Sequence, residues 1–287
     1  MTRSPSEAML ASGRRVTDLT PLPAGRSHQV YSGVDAQRGN RVVIKLDDSG
    51  SGRLDNEYEA LRLLAGHAAP VPAVLDKTTW QGRTCLVLSH VDGSPSRTAG
   101  AYFRLGNALA SLATVPAPGD GLRTSPGETI ETEHRRRVRN LALYLGETGP
   151  ILAAVTVPRA HHVVTHGDPG PENYLDRPAD GTLVDFESAM IAPFGLDLGR
   201  ALFATALVEG AGAAQANAAL LDGYRTAHAL PRRPDLDAWV AIGGTQILAW
   251  RVAMSHRPAT PPWQAAAEAL KRHLLGRDCR ADRGLRP

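Results

Sequence analysis

The pattern of apolar and polar positions changes character near residue 92. Before it, short aliphatic or β-branched runs are separated by Gly, Pro and Asp, and Val16–Leu22, Gln29–Val34, Arg41–Leu46, Val74–Trp80 and Thr84–Val91 predict an antiparallel sheet. Leu54, Leu61 and Leu64 recur at helical spacing and predict the single helix of this region, Leu54–Gly66. Beyond Arg97 the period lengthens. Arg97–Thr114 places Tyr102, Leu105, Leu109 and Leu112 on one face, and further helices are predicted over Glu131–Glu147, Asp197–Val208, Ala213–Ala229, Asp235–Ser255 and Pro262–Leu275. Two short β-branched runs, Val163–Thr165 and Thr182–Val184, interrupt them as strands. Residues 1–15 are polar with weak periodicity and predict a loose or short helical lead-in, and the tail from Gly276 predicts fraying. The fold class is α+β, long enough for one large domain or two lobes: a sheet-rich 1–91, a turn at 92–96 in Asp92-Gly93-Ser94-Pro95 where the chain can leave the sheet, and a mainly helical 97–287.

Composition narrows the class without naming a chemistry. At 43% hydrophobic and 21% charged residues the chain is an ordinary globular protein. Neither a signal-peptide core nor an apolar run of the ~20 residues needed to span a bilayer occurs, so a cytoplasmic protein without membrane partners is expected. The two cysteines, Cys85 and Cys279, lack metal spacing and fit a reducing compartment. A net charge of +3 is small and dispersed. Its one basic cluster, His134–Arg137 with Arg139, follows Glu131 and Glu133 by four residues, which predicts a solvated helix face with i,i+4 pairs rather than a nucleic-acid surface.

The candidate chemistry lies in His162–Glu187. Each of the two short strands delivers an aspartate, Asp168 and Asp185, into a turn-rich segment, and the stiff loop Pro169-Gly170-Pro171 leads to Asn173. Two carboxylates and an amide oxygen are hard donors that suit Mg²⁺ shared with substrate phosphates, with one carboxylate left to accept a proton. That combination points to phosphoryl transfer. Lys45 stands out as well, because the chain has only 3 lysines against 29 arginines and this one sits inside the strand Val42-Val43-Ile44-Lys45-Leu46. A compact ammonium there suits nucleotide phosphates. The loop Pro23–His28 between the first two strands has a single glycine, and it reads equally as an ordinary hairpin or as a loop whose backbone N–H groups and Ser27 hydroxyl offer phosphate contacts.

His166-Gly167-Asp168 with Asn173, followed by Asp185 in Val184-Asp185-Phe186-Glu187, resembles the catalytic core of the aminoglycoside phosphotransferase family, the small-molecule branch of the protein-kinase-like enzymes. The resemblance implies a protein-kinase-like two-lobed fold in which Asp168 is the catalytic base and Asn173 and Asp185 hold Mg²⁺. It implies that Lys45 binds the α- and β-phosphates of ATP or GTP and is held by a helix glutamate, for which Glu57 is the match. It further implies that the Ser89 carbonyl and Val91 N–H meet the purine edge, and that Asp197 opens a helix and braces the catalytic loop by N-capping and hydrogen bonds.

The resemblance runs from about Val16 to Val208. Only 11 residues separate Asp185 from Asp197, too few for a long activation loop, so a regulated protein kinase is not expected. Residues 201–287 hold seven Asp/Glu against eleven Lys/Arg, whereas a polycationic acceptor needs acidic walls. The expected partner is a neutral or anionic small-molecule hydroxyl compound; Trp239, Trp250 and Trp263 read first as helix-core residues and otherwise as flat contacts for it. Inactivation of a non-polycationic antibiotic, such as a nucleoside type or a macrolide, leads, and a metabolic kinase acting on choline, homoserine or a sugar, or a nucleotide-binding pseudokinase, are the competing readings.

Overall fold

The alternating runs of the N-terminal region hydrogen-bond into one antiparallel sheet: β1 (Glu7–Met9), β2 (Arg15–Pro21), β3 (His28–Asp35), β4 (Arg41–Asp47), β5 (Val74–Trp80) and β6 (Arg83–Ser89), in the order β1-β2-β3-β4-β6-β5. The computed structural model describes residues 6–22, 28–47, 50–117, 121–178, 180–256 and 262–281. The first strand corrects the expected loose or helical lead-in. Ala8 and Leu10 are 1% and 2% exposed while Met9 between them is 62% exposed, a period of two that only a strand provides.

Between β4 and β5, α1 (Arg53–Leu64) turns Leu54, Ala60, Leu61 and Leu64 against the sheet, and Glu57 lies on the same buried face. That burial is costly for a carboxylate unless it is paired, so the helix itself marks Glu57 as a special position. Asn56 next to it donates to the carbonyls of Glu187 and Ala189 at 3.1 and 2.9 Å, tying α1 to the C-terminal lobe.

The rest is mainly helical. α2 (Ala99–Ala113) begins at Thr98, whose hydroxyl accepts the Ala101 N–H at 3.1 Å. It is followed by α3 (Gly127–Asn140), α4 (Ala142–Leu145) and α5 (Thr148–Ala153) where one helix over Glu131–Glu147 was expected. The segment begins earlier and breaks at Leu141 and again at Gly146, whose φ of 51° is left-handed and ends the run. Two small hairpins follow. β7 (His162–Thr165) pairs with β10 (Met190–Pro193), and β8 (Tyr174–Asp176) pairs with β9 (Gly181–Leu183). The C-terminal helices are α6 (Leu196–Glu209), α7 (Ala213–Arg225), α8 (Arg233–Ala253) and α9 (Trp263–Ala281), the last continuing past the expected end at Leu275.

A continuous apolar core runs from Leu61 and Leu86 of the sheet lobe through Leu105 and Leu109 of α2 to Phe186, Leu198 and Leu248. It holds the hairpins against α1 and α6, so the chemistry-bearing turns are fixed on both sides. Among the described residues no helix is long and apolar enough to cross a membrane.

Candidate active site

Lys45 points from the middle of β4 towards α1, where the Glu57 carboxylate meets it with both oxygens at 2.8 Å. Lys45 is 9% exposed and Glu57 0%. Glu57 also accepts the Phe186 N–H at 3.3 Å, so each of its oxygens is partnered. Asp185 reaches the same ammonium at 2.7 Å from the other lobe. Burial alone would pull the Lys45 pKa down, but the carboxylates of Glu57 and Asp185 outweigh it and hold it above its ordinary value. Glu57 is pushed up by desolvation with Asp185 adding to the effect, against the pull of Lys45. At Asp185 burial acts upward but Lys45 wins, and its carboxyl lies below the usual carboxylate range.

Asp185 is held at φ 70° and ψ 64°, a left-handed conformation that costs a non-glycine residue about 1–2 kcal/mol. The charge-assisted bond to Lys45 offsets that cost and directs the carboxylate into the space between the lobes.

The turn after β7 is fixed by backbone chemistry. Gly167 has φ 80°, and a Cβ there would lie 2.0 Å from the Ser188 carbonyl oxygen, so no other residue fits. The Asp197 carboxylate accepts the N–H groups of His166 and Gly167 at 2.6 and 3.1 Å. Burial raises its pKa, with His166 and these two N–H groups opposing. The expected helix-opening role needs one change: Gly195 occupies the N-cap position and Asp197 stands in the first turn of α6, so its work is on the loop. His166 braces the turn from within. Its Nε2 lies 2.9 Å from the Val184 carbonyl oxygen and its Nδ1 accepts the Asp168 N–H at 3.2 Å, so both ring nitrogens hold the turn.

Asp168, held by this turn, presents a carboxylate 51% exposed. Its Oδ1 accepts from Arg200 Nη2 at 2.7 Å, and Arg200 Nη1 donates to Gln246 Oε1 at 3.0 Å. Asn173 Nδ2 donates to the Asp168 carbonyl at 2.9 Å, which leaves the Asn173 amide oxygen as an uncommitted hard donor. Val184 N–H in turn bonds the Asn173 carbonyl at 3.0 Å and locks the loop to the strand before Asp185.

A cavity of about 230 Å³ opens between the lobes. Leu22, Val30 and Val43 cover it from the sheet, Leu175 and Val184 lie on the other side, and Ser89, His90 and Val91 close its rear. The apolar walls suit a flat base, and Lys45, Glu57 and Asp185 stand at its polar end. Of the residues singled out in the sequence, Lys45, Glu57, Ser89, Val91 and Asp185 line this cavity; Asp168 and Asn173 lie on the turn after β7, outside its lining, and Ser27 falls outside the described residues. Two polar residues were missed. His28 and Glu187 also line the cavity, with Nε2 and Oε2 2.9 Å apart. Glu187 follows Asp185 by two positions in one acidic run, which was the available signal.

The donor set fits a hard divalent cation such as Mg²⁺. Asn173 offers an amide oxygen and Asp185 an ionised carboxylate, and among the described residues no three His, Cys, Asp or Glu gather into a self-sufficient metal site. Such a pair suits a cation completed by substrate phosphates and water. Of the tryptophans considered for contacts, Trp239 is 1% exposed in the core and Trp263 packs edge-on against Tyr144 at 4.8 Å, whereas Trp250 is partly exposed.

Compared with known proteins, residues 18–236 match the profile of the APH phosphotransferase enzyme family. The chain belongs to that family. Solved structures similar to this APH-family chain include a macrolide 2′-phosphotransferase from Brachybacterium faecium, with a TM-score of 0.64 and 18% identity over 88% of this chain and 91% of that one. A choline/ethanolamine kinase family protein from Mesorhizobium loti gives 0.64 and 18% over 89% and 86%. An amicoumacin kinase solved in complex with AMP-PNP, Ca²⁺ and Ami gives 0.62 and 15% over 90% and 88%. At these identities the likeness is one of fold, and it establishes the two-lobed kinase-like architecture. No match is found among curated proteins.

Proposed function

We propose that this APH-family chain is an Mg²⁺-dependent O-phosphotransferase that moves the γ-phosphoryl group of ATP or GTP to a hydroxyl of a small molecule. The observation that carries the reading is the three-way contact of Lys45 with Glu57 and Asp185 at the polar end of an apolar cavity. Residues 1–91 act as the donor lobe, 92–96 as the linker and 97–287 as the acceptor lobe, working in the cytoplasm where nucleotide is supplied. The Ser89 carbonyl and Val91 N–H meet the purine edge, Ser27 contacts a phosphate, and Lys45, steadied by Glu57, neutralises the α- and β-phosphates. Asn173 and Asp185 hold Mg²⁺, which supplies charge neutralisation to the phosphates when bound. Asp168 accepts the hydrogen bond of the attacking hydroxyl and then its proton, as the new oxygen–phosphorus bond forms and the bond to the nucleoside diphosphate breaks.

The acceptor is not polycationic. Arg200 puts a positive charge beside the base, and residues 201–287 carry eleven Lys/Arg against seven Asp/Glu. An antibiotic of neutral or anionic character, such as a nucleoside type, fits this better than a typical aminoglycoside. The similar folds of macrolide and amicoumacin phosphotransferases support that direction, and that of a choline/ethanolamine kinase family protein supports the metabolic alternative.

The test is mass spectrometry of the protein incubated with Mg²⁺, ATP or GTP, and pooled nucleoside antibiotics, macrolides, aminoglycosides, peptide antibiotics and metabolites. A compound that gains one phosphoryl group with the wild type and not with Asp168→Asn establishes both activity and acceptor. Failure to bind either nucleotide with Mg²⁺ sinks the reading.

A further inference from the structure

The catalytic turn brings no cation of its own, since Asp168-Pro169-Gly170-Pro171-Glu172-Asn173 contains neither Lys nor Arg. Lys45 is committed to Glu57 and Asp185. The charge that meets the Asp168 side chain comes from elsewhere: Arg200, on the second turn of α6, whose Nη2 stands 2.7 Å from Asp168 Oδ1. Its guanidinium is fixed from behind as well, through Nη1 to Gln246 of α8 at 3.0 Å. The two helices meet so closely that a Cβ on Gly243 would lie 2.8 Å from the Arg200 Cα, and this contact brings Gln246, three residues further along α8, within reach of the guanidinium. Arg200 is 19% exposed against 51% for the carboxylate it holds, so it forms a wall and Asp168 the presented edge.

From this geometry we infer that Arg200 is a positioning residue for the base: clamped by Gln246, it locks Asp168 Oδ1 and so directs Oδ2 at the attacking hydroxyl. The inference rests on the phosphotransferase reading. A base free to rotate would meet the hydroxyl in the productive orientation only part of the time, and alignment of this kind is a large share of what a phosphoryl-transfer enzyme supplies. When water takes the place of the acceptor, its oxygen bonds to the γ-phosphorus, the bridging oxygen leaves with the nucleoside diphosphate and its electron pair, and the water proton passes to Asp168 and then to solvent.

Acceptor-independent hydrolysis therefore tests the role without knowing the acceptor. Wild type, Arg200→Gln and Gln246→Ala are compared for Mg·ATP and Mg·GTP turnover, for affinity towards Mg·AMP-PNP and for melting temperature. Arg200→Gln is expected to lower turnover about 10- to 100-fold while the affinity stays within about twofold, and Gln246→Ala to lower it about threefold at unchanged affinity. Turnover of Arg200→Gln within about twofold of wild type overturns the assignment, as does a loss that merely tracks melting temperature and nucleotide affinity. Wild type that binds Mg·AMP-PNP yet hydrolyses neither nucleotide faster than Asp168→Asn also overturns it, because an aimed base serves water as it serves an alcohol. Absence of nucleotide binding would instead remove the phosphotransferase reading beneath it.

Discussion

The two ends of the candidate site are built by opposite means. At the donor end Lys45 is buried, bonded to two carboxylates at 2.7–2.8 Å from two lobes, and backed by the continuous core that runs under α1. At the acceptor end Asp168 is half exposed and its side chain rests on the Arg200 guanidinium. A buried charge must be paired before any ligand arrives, whereas an exposed carboxylate is stable in water and can be kept ready for a partner that comes and goes. The contrast suits one constant ligand, a nucleotide, and one variable ligand, the acceptor. It also predicts that damage to each end has a different signature.

The largest expected effect is on chemistry alone. Asp168→Asn removes the proposed proton acceptor from an exposed position, so turnover should fall by about a thousandfold with melting temperature unchanged, as steady-state kinetics and calorimetry would show. Next comes Glu57→Ala, which leaves Lys45 buried with Asp185 as its one remaining carboxylate. Removing a partner from a buried pair costs about 3–5 kcal/mol, so thermal unfolding should shift downward by several degrees and nucleotide affinity should weaken with it. Asn56→Ala probes the tie between the ends, since its amide satisfies the carbonyls of Glu187 and Ala189. Loss of both bonds should cost about 1–2 kcal/mol in denaturant titration and leave turnover at saturating nucleotide nearly unchanged.

A further effect is a pH dependence of stability that arises in the C-terminal helices, away from both ends of the site. Desolvation holds the buried His134 below its ordinary pKa, and desolvation with Arg233 beside it takes His273 down to about 4. Both histidines protonate more readily unfolded than folded. Their contribution is thus complete above pH ~6.5 and lost as pH falls below it, at up to about 1.4 kcal/mol per unit for each group. His134→Gln, which keeps a donor for the Leu152 carbonyl 3.0 Å away, should flatten part of that slope in melts between pH 7 and 4.5. An unchanged slope would assign it to other groups.

Much of the site was legible because its chemistry is written at fixed local spacing. Asp168 and Asn173 share one turn, Asp185 ends the next strand, and Lys45 is conspicuous as a rare lysine inside an apolar strand. Arg200 was not legible, because its meeting with Asp168 spans 32 residues and depends on how α6 packs under the turn. The Glu131–Arg135 and Glu133–Arg137 pairs form as expected, both at 2.5 Å, yet His134 between them is buried against α5 rather than solvated. Charge pattern reports one face of a helix and says little about the other. The first strand escaped because three residues are too few to establish a period.

The separation of the two ends is tested most directly by titrating Mg·AMP-PNP into wild type, Asp168→Asn and Glu57→Gln under identical calorimetric conditions. The account predicts that Asp168→Asn binds as wild type does, within about twofold, and that Glu57→Gln binds at least about tenfold more weakly because Lys45 is no longer steadied. Equal affinity in all three proteins, or a loss confined to Asp168→Asn, would contradict it.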